Sequence, residues 1–438
     1  MTNNNKKIGI FGLGVSGISS FNFLKEQAQK IICWDDSETN RNKLEQKYLF
    51  PLLDQVWQGL DMIVIGPGIP NSHAVFSLAL KHNILISSDI EVFLETNYDS
   101  EIIVITGTNG KSTVTSLIGH ILQENKLDYH IGGNIGLPVL SLPQHAKGYI
   151  LELSSFQLDL LSSINPTIAV FLNLAPDHLD RHGTYTAYCQ AKEKALLGDG
   201  LKVIGTNSED SKKLYNKLID SGEKNLIPIN LLTGICCDST KLTDNFFDTK
   251  SYALSGLKNL PGQHNYENIA SAFAVCRALG VDGETIIEHI ASFKGLAHRM
   301  QLIGTHEHIS FYNDSKATNV SSAIASLSAL DNIFWLAGGI FKEDNLLACD
   351  NFLKNIKKAY LFGKSRVLFK EYLEGKIDYI SCETMKEAFN AAVNDAILEK
   401  KLANILLAPA CASFDQFNNF EDRGNKFINF YNARFQQK

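Results

Sequence analysis

The sequence predicts an α/β protein of three domains, each built on a mostly parallel sheet, and three observations predict it. The chain has 438 residues, which at roughly 100 to 200 residues per domain calls for two to four domains. Short β-branched runs alternate with helical periodicity from end to end, the pattern of sheets covered by helices. Glycine-rich or polar clusters stand directly after several apolar runs, where the carboxyl ends of parallel strands hold ligands. The polar stretch Glu95–Ser100 and the segment Gly295–Arg299 set expected domains at 1–93, 94–297 and 298–438. The first is expected to be Rossmann-like, the second P-loop ATPase-like and the third Rossmann-like.

Strands are expected at Ile8–Phe11, Ile31–Trp34, Met62–Ile65, Ile102–Thr106, Ile150–Leu153, Ile168–Leu172, Val203–Gly205, Ser310–Tyr312, Ile333–Ala337, Ala359–Phe362 and Ile405–Ala408. After Lys111, the residues Val114, Leu117, Ile118, Ile121 and Leu122 recur at helical spacing. A second clear helix starts near Asn265 and stops before Gly280, a C′ glycine. The Asn-rich start reads as a frayed tail.

Composition excludes several classes. The net charge of −6 leaves no overall positive field for nucleic acid or anionic lipid, so bound phosphate needs a local site. The eight cysteines lack metal-site spacing, as reduced cytosolic thiols would. No signal segment and no apolar run of membrane-spanning length occur in the sequence. A soluble cytoplasmic monomer is expected, with no nucleic acid and no membrane partner.

In the N-terminal third, Gly12-Leu-Gly14-Val-Ser-Gly17 follows a strand and opens a helix, and Asp35 and Asp36 come about 20 residues later, the dinucleotide fingerprint. The physics is broader than NAD. Glycine permits close backbone approach and a helix N-terminus attracts a diphosphate, so any nucleoside diphosphate fits, and Gly66-Pro-Gly68 would cap the same crevice. The alternative is that the glycines only let helix and strand pack.

In the central third, Thr106-Gly107-Thr108-Asn109-Gly110-Lys111-Ser112-Thr113 follows an apolar strand and starts the amphipathic helix. Such a turn aims N–H groups at phosphates, its lysine reaches the β/γ oxygens, and Ser112 can hold Mg²⁺. Ile105 stands where the first glycine of G-x-x-x-x-G-K-[ST] belongs. Glu152, Asn173 and His178 follow later strands of the same region, and a carboxylate and an imidazole beside a triphosphate suit Mg²⁺; alone, His178 would read as a capping or surface histidine. Lys192 reads as one more exposed helix lysine. A GTPase is disfavoured because no N-K-x-D string occurs. Asn134, in a glycine-rich turn, and Asn265 and Asn268, at i and i+3 on one helix, add amides of the kind that read a base or a substrate.

In the C-terminal third, strand ends carry Asn313-Asp314-Ser315-Lys316-Ala-Thr318-Asn319, then Gly338-Gly339 with Lys342, then the run from Pro409 to Gly424 that includes Ser413, Phe414, Phe420 and Arg423. Lysines with hydroxyls suit an anionic amino acid or phosphate. His306-Glu-His308 reads as an exposed alternating strand.

Taken in this order, TGTNGKST, GGNIG, ELSSFQL, DHLDRH, GQHNYEN, NDSKATN and APACASFDQFNNFEDRG resemble the Mur ligase family, ATP-dependent enzymes that add amino acids to the peptidoglycan precursor; the last two strings are similar to its D-glutamate-adding member. The resemblance runs from Gly12 to Gly424. It implies ligation of D-glutamate to UDP-N-acetylmuramoyl-L-alanine through an acyl phosphate, with ATP and two Mg²⁺ ions. It also implies that the N-terminal domain holds UDP rather than NAD, with Gly14, Ser16, Asp35 and Gly68 facing uridine and diphosphate and Asn134 touching the muramoyl-peptide. Gly107 to Thr113, Asn265, Asn268, Arg299 and Asp314 would hold ATP, with Lys111 on its phosphates. Ser112 and Glu152 would hold one Mg²⁺ and His178 the second, with Lys192 as a carbamate. Lys111, His178 and Lys192 would form the catalytic set, and Lys316, Thr318, Lys342, Ser413, Phe414 and Phe420 would surround D-glutamate. A folate polyglutamate ligase or a Mur ligase adding another amino acid is the alternative.

Overall fold

A computed structural model describes residues 5–255, 257–260, 262–342, 345–399 and 401–436; the Asn-rich start lies outside them except for Asn5. The chain divides into two compact units, one formed by the chain up to Cys237 with Lys241–Ala253 and Glu267–His289, the other by Asp238–Thr240, Leu254–Tyr266 and the chain from Ile290 onward.

The first unit carries two sheets. β1 (Lys7–Phe11), β2 (Lys30–Trp34), β3 (Met62–Ile65) and β4 (Leu85–Ser87) pair in parallel in the order β2-β1-β3-β4. The second sheet has β5 (Glu101–Thr106), β6 (Tyr129–Gly133), β7 (Gly148–Glu152), β8 (Ile168–Phe171), β9 (Leu201–Gly205), β10 (Leu226–Ile229), β11 (Ile235–Cys237), β12 (Lys241–Asp244) and β13 (Lys250–Ala253). Its order is β13-β12-β11-β10-β9-β8-β5-β7-β6, antiparallel only at β11–β12 and β12–β13.

The second unit holds β14 (Gln301–His306), β15 (Ile309–Asn313), β16 (Ile333–Gly338), β17 (Ile356–Phe362), β18 (Tyr379–Ser381) and β19 (Ala403–Leu407), ordered β14-β15-β19-β16-β17-β18, with only β14–β15 antiparallel.

All eleven expected strands are present, and eight more join them. Most of the additions are short or polar: β4 and β11 have three residues, β6 ends in two glycines, and β12 and β13 form a lysine-bearing hairpin. The His306–His308 segment is a correction. His306 ends β14, and Glu307, with φ 51°, turns the chain into β15. His308 then meets the Ala396 carbonyl at 3.1 Å.

Strand order positions the candidate site. In each sheet the chain reverses direction of progression next to one strand, and loops there part to leave a crevice. The first reversal lies between β1 and β3, the second at β5 between β8 and β7, and the third at β19 between β15 and β16. The Gly12, Gly66, Gly107, Glu152, Asn173, Asp314, Gly338 and Pro409 clusters each follow one of these strands, whereas Asn134 follows β6 and Asn265 and Asn268 come after β13.

One apolar core spans both sheets of the first unit, joining Ile8 and Ile10 of β1 to Val104 of β5 and Leu151 of β7. Within the polar stretch Glu95–Ser100, Asn97 is fully buried and satisfied: it donates to Phe93 O and Gln144 Oε1 and accepts from Tyr149. Among the described residues no helix is long and apolar enough to cross a membrane. None of the eight cysteines forms a disulfide.

Candidate active site

At the β1–β3 crevice the two readings of the glycine motif separate. A side chain at Gly17 would run into the Gly12 carbonyl, so that glycine serves helix packing. Gly14 and Gly68 have nothing within 4 Å of where a Cβ would stand; packing does not require them, and their backbones are open to a ligand. Asp35 is buried, accepting from Leu13 N at 2.6 Å and Ser37 N at 2.7 Å. Its carboxylate thereby shapes the glycine turn. Ser16 is half-buried, close enough to the Asp89 carboxyl to favour its charged form.

The second crevice is centred on Lys111. Gly107 has φ 146°, and a Cβ there would lie 2.9 Å from that of Leu172, so this turn needs glycine on both counts. The loop is held from β8 outward: Thr108 N donates to Asn173 O at 2.9 Å and Asn109 N to Asn173 Oδ1 at 2.8 Å. Thr108 Oγ1 also meets Tyr188 OH at 2.8 Å. Lys111 Nζ folds back onto Gly107 O and Thr108 O, each at 2.8 Å. Ser112 is buried and Thr113 half-buried in the first turn of the Lys111–Glu124 helix, and Gly110 packs against Asn268.

Around this loop stand three candidate metal-binding groups. Glu152 ends β7, almost wholly buried; Oε1 accepts from Asn134 Nδ2 at 2.8 Å, while Oε2 has no hydrogen-bond partner among the described residues. An orphaned buried carboxylate oxygen is costly unless something is to bind it. Lys192 corrects the sequence reading: it is 2% exposed, donating to Gly107 O at 2.8 Å. Burial, and then the charge of Lys111, holds its amine well below the usual lysine range. His178 has φ 54° and is exposed, its ring 4.8 Å from that of Phe156. No group of three or more His, Cys, Asp or Glu able to hold a metal occurs among the described residues. Mg²⁺ is bound through one or two carboxylates plus substrate phosphates and water rather than by an all-protein cage, so Ser112, Glu152 and a carboxylated Lys192 fit that ion.

In the second unit, the loops after β15, β16 and β19 meet. Arg423, fully buried, donates to Ser315 Oγ at 2.9 Å, Ser315 O at 2.7 Å and Cys411 O at 3.0 Å, tying the Asp314–Thr318 loop to the Pro409–Ser413 loop. Lys316 Nζ lies 3.9 Å from the Phe420 ring centroid, Ser413 is buried, and Thr318 is half-buried. Phe414 is exposed, with Lys342 at 5.9 Å from its centroid. Asp314 accepts from Met300 N at 3.2 Å and from the Ser326 hydroxyl, and Arg299 lies close enough to favour its charged form. Asn265, counted with the second unit, and Asn268, counted with the first, are both buried in the first turns of the Gln263–Ala278 helix.

Burial pushes the Asp314 carboxyl up to about 6. Folding therefore favours its protonated form, a contribution to stability that is complete below about pH 4 and lost as pH rises through about 6. Asp314→Asn should raise the urea midpoint at pH 7 by the equivalent of about 1 to 3 kcal/mol and leave it nearly unchanged at pH 4. Equal shifts at both pH values would contradict this.

The Mur ligase middle domain matches residues 105–276, and the Mur ligase MurD-like N-terminal domain matches residues 6–88. The UDP-N-acetylmuramoylalanine--D-glutamate ligase of Rickettsia bellii is 45% identical over 440 residues, covering 98% of each chain. The chain belongs to the Mur ligase family. The protein of the same name from Wolbachia pipientis is 36% identical, covering 98% of this Mur ligase and 97% of that protein. Among solved structures, the MurF ligase of Thermotoga maritima in complex with ADP aligns with a TM-score of 0.61 at 17% identity over 99% and 96% of the two chains. The UDP-N-acetylmuramate-alanine ligase of that organism gives 0.60 at 16% identity over 98% and 100%. These two likenesses establish the three-domain α/β architecture.

Sequence reading passed over one residue beside the Lys111 loop. Tyr188 supports Thr108, and its place one turn before Lys192 on the Tyr185–Glu193 helix was the available signal. Arg423 was read as part of the ligand-facing run from Pro409 to Gly424, but nothing in that string shows that it is fully buried.

Proposed function

We propose that this Mur ligase joins D-glutamate to UDP-N-acetylmuramoyl-L-alanine at the expense of ATP. Identities of 36 to 45% over nearly the whole chain to proteins carrying that activity in their names carry the reading. The Lys111 loop beside Glu152 and Lys192 supports it from the side of chemistry. The substrate's alanine carboxylate attacks the γ-phosphate; an O–P bond forms, the bond to ADP breaks, and an acyl phosphate results. Lys111 moves from the Gly107 and Thr108 carbonyls to phosphate oxygens and offsets charge developing there. Ser112 and Glu152 would hold one Mg²⁺, His178 and a carbamylated Lys192 the second; the ions neutralise phosphate charge when bound. The glutamate amine then attacks the acyl carbon, losing a proton to solvent as phosphate leaves.

Gly14, Ser16, Asp35 and Gly68 serve UDP in this reading, and Asn134 the muramoyl-peptide. Asn265, Asn268, Arg299 and Asp314 serve ATP, and Lys316, Thr318, Lys342, Ser413, Phe414 and Phe420 serve D-glutamate. Eight thiols without a disulfide suit the cytoplasm. The test is ADP release by the purified chain with ATP and Mg²⁺. Release should require both the UDP-muramoyl-alanine and D-glutamate, with L-glutamate plus folate giving none. Release that ignores either substrate would overturn the reading.

A further inference from the structure

Arg181 has no part in the chemistry above, yet it is half-buried and fully engaged. It lies three residues after His178, in the short Leu179–His182 helix. Its guanidinium donates to Ile69 O and, at 3.4 Å, to Pro67 O. Those two carbonyls flank Gly68, one of the two open glycines of the β1–β3 crevice. The same guanidinium lies 5.4 Å from the centroid of Phe156, the ring that also packs against His178 at 4.8 Å and His182 at 5.5 Å. A second link runs alongside, from Asn71 Nδ2 to Asp159 Oδ2 at 2.8 Å. One planar cation therefore fixes the Gly66–Ile69 turn and the His178 segment in a single arrangement.

We propose that Arg181 is a positioning residue that couples the diphosphate-binding turn at Gly68 to the metal-binding segment at His178, so that occupancy of one site strengthens binding at the other. The inference rests on the functional reading given above. Coupling between two sites is reciprocal: if the UDP-substrate fixes the turn through Arg181, it lowers the Mg²⁺ concentration needed, and Mg²⁺ lowers the KM for the UDP-substrate. Lysine cannot replace the guanidinium here, because a point-charge ammonium cannot stack on Phe156 while donating to two carbonyls from one plane.

The experiment uses the full chain and measures KM for each substrate, half-saturating Mg²⁺, kcat and thermal midpoint for wild type, Arg181→Ala and Arg181→Lys. In the wild type, KM for the UDP-substrate should fall as Mg²⁺ rises. Arg181→Ala should raise that KM about tenfold, the scale of a lost hydrogen bond from a charged group, and remove its Mg²⁺ dependence. KM for D-glutamate should stay within about twofold. Arg181→Lys, which keeps the charge and the stem and guards against a variant that fails to fold, should show the same split at smaller amplitude. Wild-type KM values in the variants overturn the proposal, as does a parallel rise of every KM with a lowered thermal midpoint, the mark of a merely structural residue. Wild-type protein lacking D-glutamate-dependent ADP release would instead sink the functional reading, and this inference with it. An active wild type with indifferent variants sinks the coupling alone.

Discussion

Lys111→Ala should lower ADP release by roughly 10³-fold, almost all of it in kcat, while leaving the urea midpoint within about 1 kcal/mol of wild type. The size follows from where the ammonium stands. Two carbonyl partners at 2.8 Å, Gly107 O and Thr108 O, belong to the turn it sits on; Gly107 O keeps the Lys192 amine when Lys111 is lost, so the cost to the fold is small. A transferring phosphoryl group offers far more. Charge accumulates on its equatorial oxygens during the reaction, and a preorganised cation is worth most when it meets charge absent from the ground state. The Gly107 turn and the Asn173 contacts fix the loop before any ligand arrives, so the lysine alone has to move. The check is steady-state ADP release alongside ATP affinity. A variant keeping more than a tenth of the wild-type rate would show that this loop does not carry phosphoryl transfer.

Such a prediction could be drawn from sequence because its signals are local. Apolar β5, the glycines at 107 and 110, and the 3.6-residue period after Lys111 are contiguous, and each agrees with the others. The same holds for β1 and its glycine turn. What contiguity could not show is strand order, which is set by long-range pairing. That β5 lies between β8 and β7 is why Glu152, Asn173 and the Lys111 loop meet, and that β19 lies between β15 and β16 is why the Asp314 and Ser413 loops meet. The polar hairpin of β12 and β13 was missed because KLTD and KSYA lack an apolar run. Burial of charge was equally hidden. Lys192 sits in a string that reads as exposed helix, and nothing in the run from Pro409 to Gly424 shows that Arg423 is buried; acceptors on distant loops make both positions tenable. Arg181 belongs with them: its partners at Pro67 and Ile69 are more than a hundred residues away.

Lys192 is where this difference matters most, and Lys192→Ala should reduce activity on the order of 10²-fold or more, with partial recovery on adding formate or acetate. Two amines, Lys111 and Lys192, donate to the same Gly107 oxygen at 2.8 Å each. Two cations so placed repel each other, and one of them is 2% exposed. Burial first, and the Lys111 charge second, favour a neutral amine at Lys192. A neutral amine is the form that attacks carbon dioxide: the N–C bond forms, one C–O π pair moves to oxygen, and the amine proton passes to solvent. Such a carbamate would replace a group that repels metal ions with an anion able to hold them, within reach of the charge of Glu152, whose Oε2 has no hydrogen-bond partner among the described residues. A small carboxylic acid entering the space left by alanine would supply that anion from outside. The check has two arms, titration of the variant with acids of increasing size, and ¹³C NMR of wild-type protein equilibrated with ¹³C-bicarbonate, whose carbamate signal should be absent in Lys192→Ala. A variant at full rate, or an inactive one that no acid rescues with no labelled signal in the wild type, would leave Lys192 as a plain amine and remove it from the metal site.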